Sequence, residues 1–156
     1  MRQTAVVIAP GRGTYNKAQL GYLQRHAGHP LLSAFDIYRE EQGQEGVTAL
    51  DNADRFVPSK HTSGEHASPL IYTAGYLDFA AIDREQFDII GVTGNSMGWY
   101  TALACAGAVT PLNGFEIVNT MGTLMQRNLI GGQLIYPFLD DNWVPIQGRR
   151  ESILRK

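Results

Sequence analysis

The residues with the clearest potential for chemistry form the run Gly94-Asn95-Ser96-Met97-Gly98, which has the pattern Gly-x-Ser-x-Gly. Where a strand precedes this pattern and a helix follows it, the turn is so sharp that a Cβ at either glycine would collide with neighbouring backbone. The serine at the apex adopts a strained backbone and presents its hydroxyl as a nucleophile. The N–H groups that open the helix are unpaired and can stabilise an oxyanion. The pattern therefore predicts Ser96 as a catalytic nucleophile.

The segments on either side of this turn have the required character. Residues 87–93 form an apolar run typical of a strand, and residues 99–107 are small or helix-forming. Strand, turn and helix in this order distinguish a nucleophile turn from a chance occurrence of the pattern.

A second loop of interest is Pro10-Gly11-Arg12-Gly13-Thr14. It follows residues 4–9, an apolar and β-branched run that predicts a strand buried on both faces of a parallel sheet. Open α/β sheets place ligands at the carboxyl ends of their strands. The loop lacks the Lys-Ser/Thr ending of a phosphate loop, but its N–H groups could bind an oxyanion. The alternative is a plain strand-to-helix turn.

A serine nucleophile needs a base, which is usually a histidine. In hydrolase-type order the histidine follows the serine, but no histidine follows Ser96 in this sequence. We expect the base to lie beyond Lys156, in a longer polypeptide of which this chain is a fragment. The alternative is that His61 or His66 folds back to Ser96. The spacing of the histidines does not indicate a metal site; they are His26, His29, His61 and His66.

Composition narrows the class of protein. A chain of 156 residues with 44% hydrophobic and 18% charged residues fits one globular domain or a large part of one. The formal net charge of −2 gives no basis for binding nucleic acid or an anionic membrane. Cys105 is the single cysteine, which excludes a disulfide framework and a thiolate metal cluster. With no leader and no apolar run near the roughly 20 residues of a membrane helix, we expect a soluble cytoplasmic protein.

The remaining pattern predicts a mainly helical chain around these two strands. A helix is expected to begin at Ser68 and Pro69, because serine is a good cap and proline suits the first helical position. Its continuation is apolar nearly all round and should be buried. Helices are expected over residues 17–26, 31–41, 47–53, 70–82 and 112–129 and from residue 149 onward, with a strand over 133–138.

The motifs resemble those of the malonyl-CoA:acyl carrier protein transacylases. The loop at residues 10–14 is similar to the family's Pro-Gly-Gln-Gly-Ser, and residues 94–103 are similar to Gly-His-Ser-Leu-Gly-Glu-Tyr-Ser-Ala-Leu. Residues 121–126 are similar to Arg-Gly-x-x-Met-Gln without a gap from Ser96, and Ser68-Pro69 is similar to Gln-Pro at a helix start. The match covers this chain, but only about the first half of a family member.

The resemblance implies an α/β fold. Residues 1–130 would be the N-terminal part of an α/β-hydrolase-like large subdomain with a parallel sheet. Residues 131–156 would begin an inserted ferredoxin-like small subdomain, so the chain would be truncated.

The resemblance also implies an acyltransferase. Ser96 would take a malonyl or related group from coenzyme A as an ester and pass it to the phosphopantetheine thiol of acyl carrier protein, in fatty acid or polyketide synthesis. The backbone N–H groups of Arg12 and Met97 would form the oxyanion hole, and Gly11, Arg12, Asn95 and Met121 would contact the substrate. The partners would be the acyl-CoA and the carrier protein, with no cofactor beyond the thioester. This chain alone is expected to be inactive.

Three positions depart from the family pattern. Asn95 replaces a histidine, Arg12 replaces a glutamine, and Met121 replaces the arginine that pairs with the malonyl carboxylate. A thioether cannot imitate such a bidentate pair. We therefore predict that an uncharged acyl group is loaded as well as or better than malonyl, unless Arg12 supplies the missing cation.

Two other functions remain open. A serine esterase or thioesterase would use the same turn, since the chemistry of the first step is identical. A non-catalytic carrier-protein-binding module would account for the missing histidine and arginine.

Overall fold

The computed structural model of the protein describes residues 2–128 and 136–155. Its sheet has two parallel strands, β1 (Gln3–Ala9) and β2 (Phe87–Gly94). The register pairs Gln3 with Phe87 and Ala9 with Gly94, with an irregularity between Ala5 and Val6. The predicted α/β fold with a parallel sheet is confirmed. Because Ala9 and Gly94 are paired, the two loops predicted to carry the chemistry leave the sheet side by side.

Seven helices accompany the strands in the described part of the chain. Two of them, α4 (Gly64–Ala80) and α6 (Pro111–Arg127), are long and pack together, and the aromatic core lies beside them. Within that core the rings of Phe35 and Phe115 stack with centroids 4.2 Å apart, and Tyr72 lies edge-on to both. The helices are α1 (Pro30–Glu41), α2 (Val47–Asp51), α3 (Pro58–His61), α4 (Gly64–Ala80), α5 (Gly98–Cys105), α6 (Pro111–Arg127) and α7 (Arg149–Leu154).

The start of α4 differs from the prediction. The helix begins at Gly64 after Ser63, so Pro69 lies inside it and not at its first position. Proline has no N–H to donate, which leaves the carbonyl of Glu65 without its usual helical partner. Arg39 supplies one, since its Nη1 donates to the Glu65 carbonyl at 3.0 Å. A side chain from α1 therefore allows α4 to continue through the proline.

Arg39 is the centre of a buried polar network that joins α1, α4 and α6. The side chain is fully buried, and its Nε donates to the carbonyl of Glu45 at 2.6 Å. Its Nη1 also donates to Oδ1 of Asn119, whose Nδ2 donates to Oε1 of Gln44 at 2.7 Å. Burial lowers the pKa of the Arg39 guanidinium, and the charges of Glu65 and Glu45 oppose that shift.

We expect Asn119→Ala to destabilise the protein by about 2–3 kcal/mol, because a buried guanidinium would lose a charge-assisted hydrogen bond without gaining water. The measurement is the free energy of unfolding from urea denaturation. The control is Asn113→Ala, at an exposed position of the same helix. Equal midpoints for the two variants would show that the network contributes nothing measurable.

The sheet is not buried on both faces among the described residues, so that prediction is wrong for this part of the chain. Val6, Ile8 and Ile90 are 55%, 70% and 65% exposed. Among the described helices, α5 packs against both strands. The predicted helix over 17–26 is also wrong, because that segment forms two 3₁₀ turns, Lys17–Gln19 and Tyr22–His26.

The C-terminal segment is short in regular structure. Residues 133–135 of the predicted strand lie outside the described residues, and 136–138 are not in a strand. Leu139 and Pro145 form an isolated antiparallel bridge before α7. A ferredoxin-like subdomain in this region stays a prediction.

None of the described helices is long and apolar enough to cross a membrane.

Candidate active site

The turn at Ser96 joins β2 directly to α5. The backbone N–H of Asn95 donates to the carbonyl of Ala9 at 3.0 Å, which ties the turn to the end of β1. The N–H of Gly98 donates to the carbonyl of Asn95 at 2.8 Å and closes the turn. Ser96 has φ of +52°, a left-handed conformation that is uncommon outside glycine. The strand and helix predicted around Ser96 are both present, and the serine is held in the strained backbone expected between them.

Glycine at positions 94 and 98 allows the backbones of β2, α5 and the end of β1 to lie close together. A Cβ on Gly94 would lie 2.5 Å from the backbone nitrogen of Trp99 and would overlap the carbonyl group of Gly98. A Cβ on Gly98 would overlap the carbonyl oxygen of Ala9. The prediction that a Cβ at either position would collide with neighbouring backbone is therefore confirmed.

The loop after β1 lies against the Ser96 turn. A Cβ on Gly11 would come within 2.8 Å of the Asn95 carbonyl oxygen and 3.2 Å of the Ser96 Cβ. Among the described residues, the backbone N–H groups of Arg12 and Met97 donate no hydrogen bond. Two unpaired donors thus come from the two loops that border Ser96. This arrangement can stabilise a negatively charged oxygen that forms beside the serine.

Ser96 opens onto a cavity of about 250 Å³. The cavity brings together four of the residues singled out in the sequence, namely Arg12, Ser96, Met97 and Met121, while the side chain of Asn95 is exposed and does not line it. The remaining walls come from residues for which the sequence predicts no role at the site, although all of them except Val118 lie within the motifs that resemble the transacylases. They are Ser68 from α4, Tyr100 from α5, and Val118, Gly122 and Met125 from α6.

None of the four histidines lines the Ser96 cavity. His61 is fully buried, with Nδ1 beside the Val57 N–H at 3.0 Å and Nε2 3.2 Å from the carbonyl of Leu50. His66 bonds with the hydroxyl of Ser63 at 3.0 Å, and burial lowers the pKa of its imidazole. The alternative that His61 or His66 folds back to Ser96 is therefore wrong, and within the described residues Ser96 has no histidine base.

A larger cavity of about 380 Å³ lies between β1 and α4 and contains none of the predicted site residues. Its walls include Val7, Ile71 and Phe79. The one carboxylate in its lining, Asp78, accepts from the Tyr22 hydroxyl at 2.6 Å and lies 2.9 Å from Nε2 of His26. Both oxygens of this carboxylate are thus bonded to neighbouring side chains, and none of the predicted site residues lines this cavity. The smaller cavity at Ser96 is therefore the candidate active site. No group of potential metal ligands occurs among the described residues.

Comparison with known proteins gives matches of structure only. No protein-family model matches the chain, and no curated protein sequence matches it. A malonyl-CoA:acyl carrier protein transacylase from Mycobacterium tuberculosis matches with a TM-score of 0.60 and 22% identity, over 80% of this chain and 41% of the other. The corresponding transacylase from Coxiella burnetii matches with a TM-score of 0.60 and 20% identity, over 80% and 38%.

A third similar structure is a complex of a type II polyketide synthase acyl carrier protein with its malonyl-transacylase. It matches with a TM-score of 0.59 and 21% identity, over 80% of this chain and 39% of the other. The chain thus has the fold of part of these transacylases and spans about two fifths of their length. The fold expected from the resemblance is confirmed.

Proposed function

We propose that Ser96 takes an acyl group from a coenzyme A thioester as an ester and passes it to the phosphopantetheine thiol of an acyl carrier protein. The observation that supports this most directly is the strained Ser96 at a strand-to-helix turn, with the unpaired N–H groups of Arg12 and Met97 beside it. The likeness in fold to malonyl transacylases favours transfer of an acyl group over other serine chemistry.

The proposed reaction has two half-reactions with the same geometry. The Ser96 hydroxyl oxygen attacks the thioester carbonyl and gives up its proton to a base, and the carbonyl oxygen becomes an oxyanion facing the N–H groups of Met97 and Arg12. Collapse of this intermediate breaks the carbon–sulfur bond, and the coenzyme A thiolate leaves with a proton. The carrier-protein thiol then gives its proton to the base and attacks the ester carbonyl, and the same donors hold the second oxyanion. Collapse of this intermediate breaks the carbon–oxygen bond to Ser96, whose oxygen takes the proton back from the base.

The test is formation of an ester on Ser96, followed by mass spectrometry of the intact chain and its peptides. The chain is incubated with malonyl-CoA or acetyl-CoA in the presence of imidazole as an external base. We expect one acyl group per chain, absent in Ser96→Ala. Ser68→Ala is the matched control, because Ser68 is the other serine that lines the cavity and should not carry the ester.

Discharge of this ester separates transfer from hydrolysis. Faster loss to a phosphopantetheinylated carrier protein than to water would support the transferase. Faster loss to water would instead indicate an esterase or thioesterase. A chain that never forms the ester but binds carrier protein would indicate a non-catalytic module and contradict the proposed function.

A further inference from the structure

One charged side chain lines the Ser96 cavity among the described residues, and it comes from the loop after β1. The Nη1 of Arg12 lies 3.0 Å from the position that a Cβ on Gly64 would occupy. Gly64 is packed against Gly122 of α6, because a Cβ on Gly122 would overlap the Gly64 carbonyl oxygen. The guanidinium therefore reaches from the loop after β1 (residues 10–14, the β1 loop) to the wall formed by α4 and α6 at Gly64. Met121 of α6 lines the same cavity.

No acidic side chain neutralises Arg12 within the described part of the chain. None of the carboxylates among the described residues lies within salt-bridge distance of Arg12. The acid next to Gly64 in sequence is Glu65, and its carboxylate accepts from Nε2 of Gln44 at 3.1 Å and lies 3.9 Å from Arg127. The positive charge at this wall of the cavity is thus available to an anionic group of a ligand.

Apolar side chains form much of the remaining lining. Met97, Val118, Met121 and Met125 contribute to it; Val118 is buried, whereas Met121 and Met125 are 37% and 53% exposed. Because this wall is open to solvent, Arg12 would give a modest preference for an anionic group and not the full strength of a buried ion pair. A carboxylate on a bound acyl group would find one cation there, and an uncharged acyl group would find apolar surface.

We propose that Arg12 binds the terminal carboxylate of a dicarboxylic acyl group, of the malonyl type, carried on Ser96. This inference rests on the proposed function. It identifies the cation that Met121 cannot provide, and it places that cation on the β1 loop instead of on α6. The guanidinium fork suits a carboxylate through two parallel hydrogen bonds, which a lysine ammonium cannot reproduce.

The test compares the yields of malonyl and acetyl ester on Ser96 in the presence of imidazole. We expect Arg12→Gln to lower the malonyl-to-acetyl ratio roughly tenfold. This factor corresponds to the weaker end of the range for a hydrogen bond to a charged group, because Arg12 is exposed to solvent. Arg12→Lys should give an intermediate ratio. Arg127→Gln is the matched control, because Arg127 is exposed on α6 and does not line the cavity, so it should keep the ratio of the unmodified chain. An unchanged ratio in Arg12→Gln would overturn the inference.

A second measurement separates this inference from the proposed reaction. Methyl-¹³C methionine spectra of Ser96→Ala report binding through Met97, Met121 and Met125, without any chemistry at the serine. We expect malonyl-CoA to bind roughly tenfold more weakly when Arg12→Gln is added. Suppose that malonyl-CoA binding to Ser96→Ala depends on Arg12, while the chain with Ser96 intact never forms the ester. This result would overturn the proposed function and support the role of Arg12. Absence of both ester and binding would overturn the role of Arg12 as well.

Discussion

Gly98→Ala is expected to prevent the chain from reaching its native fold. The new Cβ would overlap the carbonyl oxygen of Ala9 and lie 2.7 Å from its carbon and 2.8 Å from the Pro10 carbonyl oxygen. These are backbone atoms at the end of β1, so no side-chain rotation can relieve the clash. Moving them would disrupt the register between β1 and β2, which pairs Ala9 with Gly94. We expect a loss of more than about 4 kcal/mol, a large fraction of the stability of a small domain.

The measurement is circular dichroism with urea denaturation, and Gly75→Ala is the matched control. A Cβ on Gly75 would meet Thr101 Cγ2 at 3.8 Å and Pro10 Cδ at 3.9 Å, which are ordinary contact distances. Because Gly75 lies within α4, alanine there should be tolerated and should favour the helix by up to about 1 kcal/mol. A Gly98→Ala protein with an unchanged unfolding midpoint would mean that the contact between the turn and β1 is looser than described.

The same close contact that makes Gly98 indispensable also builds the candidate site. It allows the β1 loop to lie against the Ser96 turn, where Gly11 approaches Asn95. The two N–H donors of Arg12 and Met97 flank the serine only because these loops touch. Stability and the proposed oxyanion site therefore depend on one steric feature.

Local patterns in the sequence predict most of the elements that position the site. The strand at 87–93 is predicted by an apolar run, and the turn at Ser96 is predicted by the spacing of two glycines. Both signals lie within a few residues of the structure that they predict. The start of α4 could not be predicted in this way. The rule that places proline at a helix start fails at Pro69 because Arg39, 26 residues before Glu65, supplies the missing donor to the Glu65 carbonyl. A distant hydrogen bond leaves no mark in the local pattern.

The walls of the cavity show a similar limit. Arg12 and Met121 attract attention because they depart from the pattern of a family that the sequence resembles. Ser68, Tyr100 and Met125 line the same cavity; each lies within a motif that resembles the family, yet its own segment does not predict a side chain that faces the cavity. Their role depends on how α4, α5 and α6 pack, which periodicity does not specify. The side chain of Asn95, which the resemblance assigns to the substrate, is exposed and does not line the cavity.

Ser96 in this chain is expected to react with acyl-CoA far more slowly than an activated serine. A positioned general base contributes about 10²–10⁴ to the rate, and no histidine lines the cavity among the described residues. The geometry of the turn and the N–H donors remain, so the defect should be one of proton transfer. Free imidazole should therefore accelerate ester formation on Ser96 in proportion to the concentration of its neutral form.

The control for this prediction is His66→Gln, measured with and without imidazole. His66 is the histidine with the lowered pKa, but it bonds with Ser63 and does not line the cavity, so its replacement should leave both rates unchanged. A fast reaction without imidazole that His66→Gln abolishes would place the base inside this chain. A rate that imidazole does not increase would show that proton transfer from Ser96 does not limit the reaction. A rate that rises with imidazole would show that Ser96 and its N–H donors are competent and that the described residues lack a positioned base.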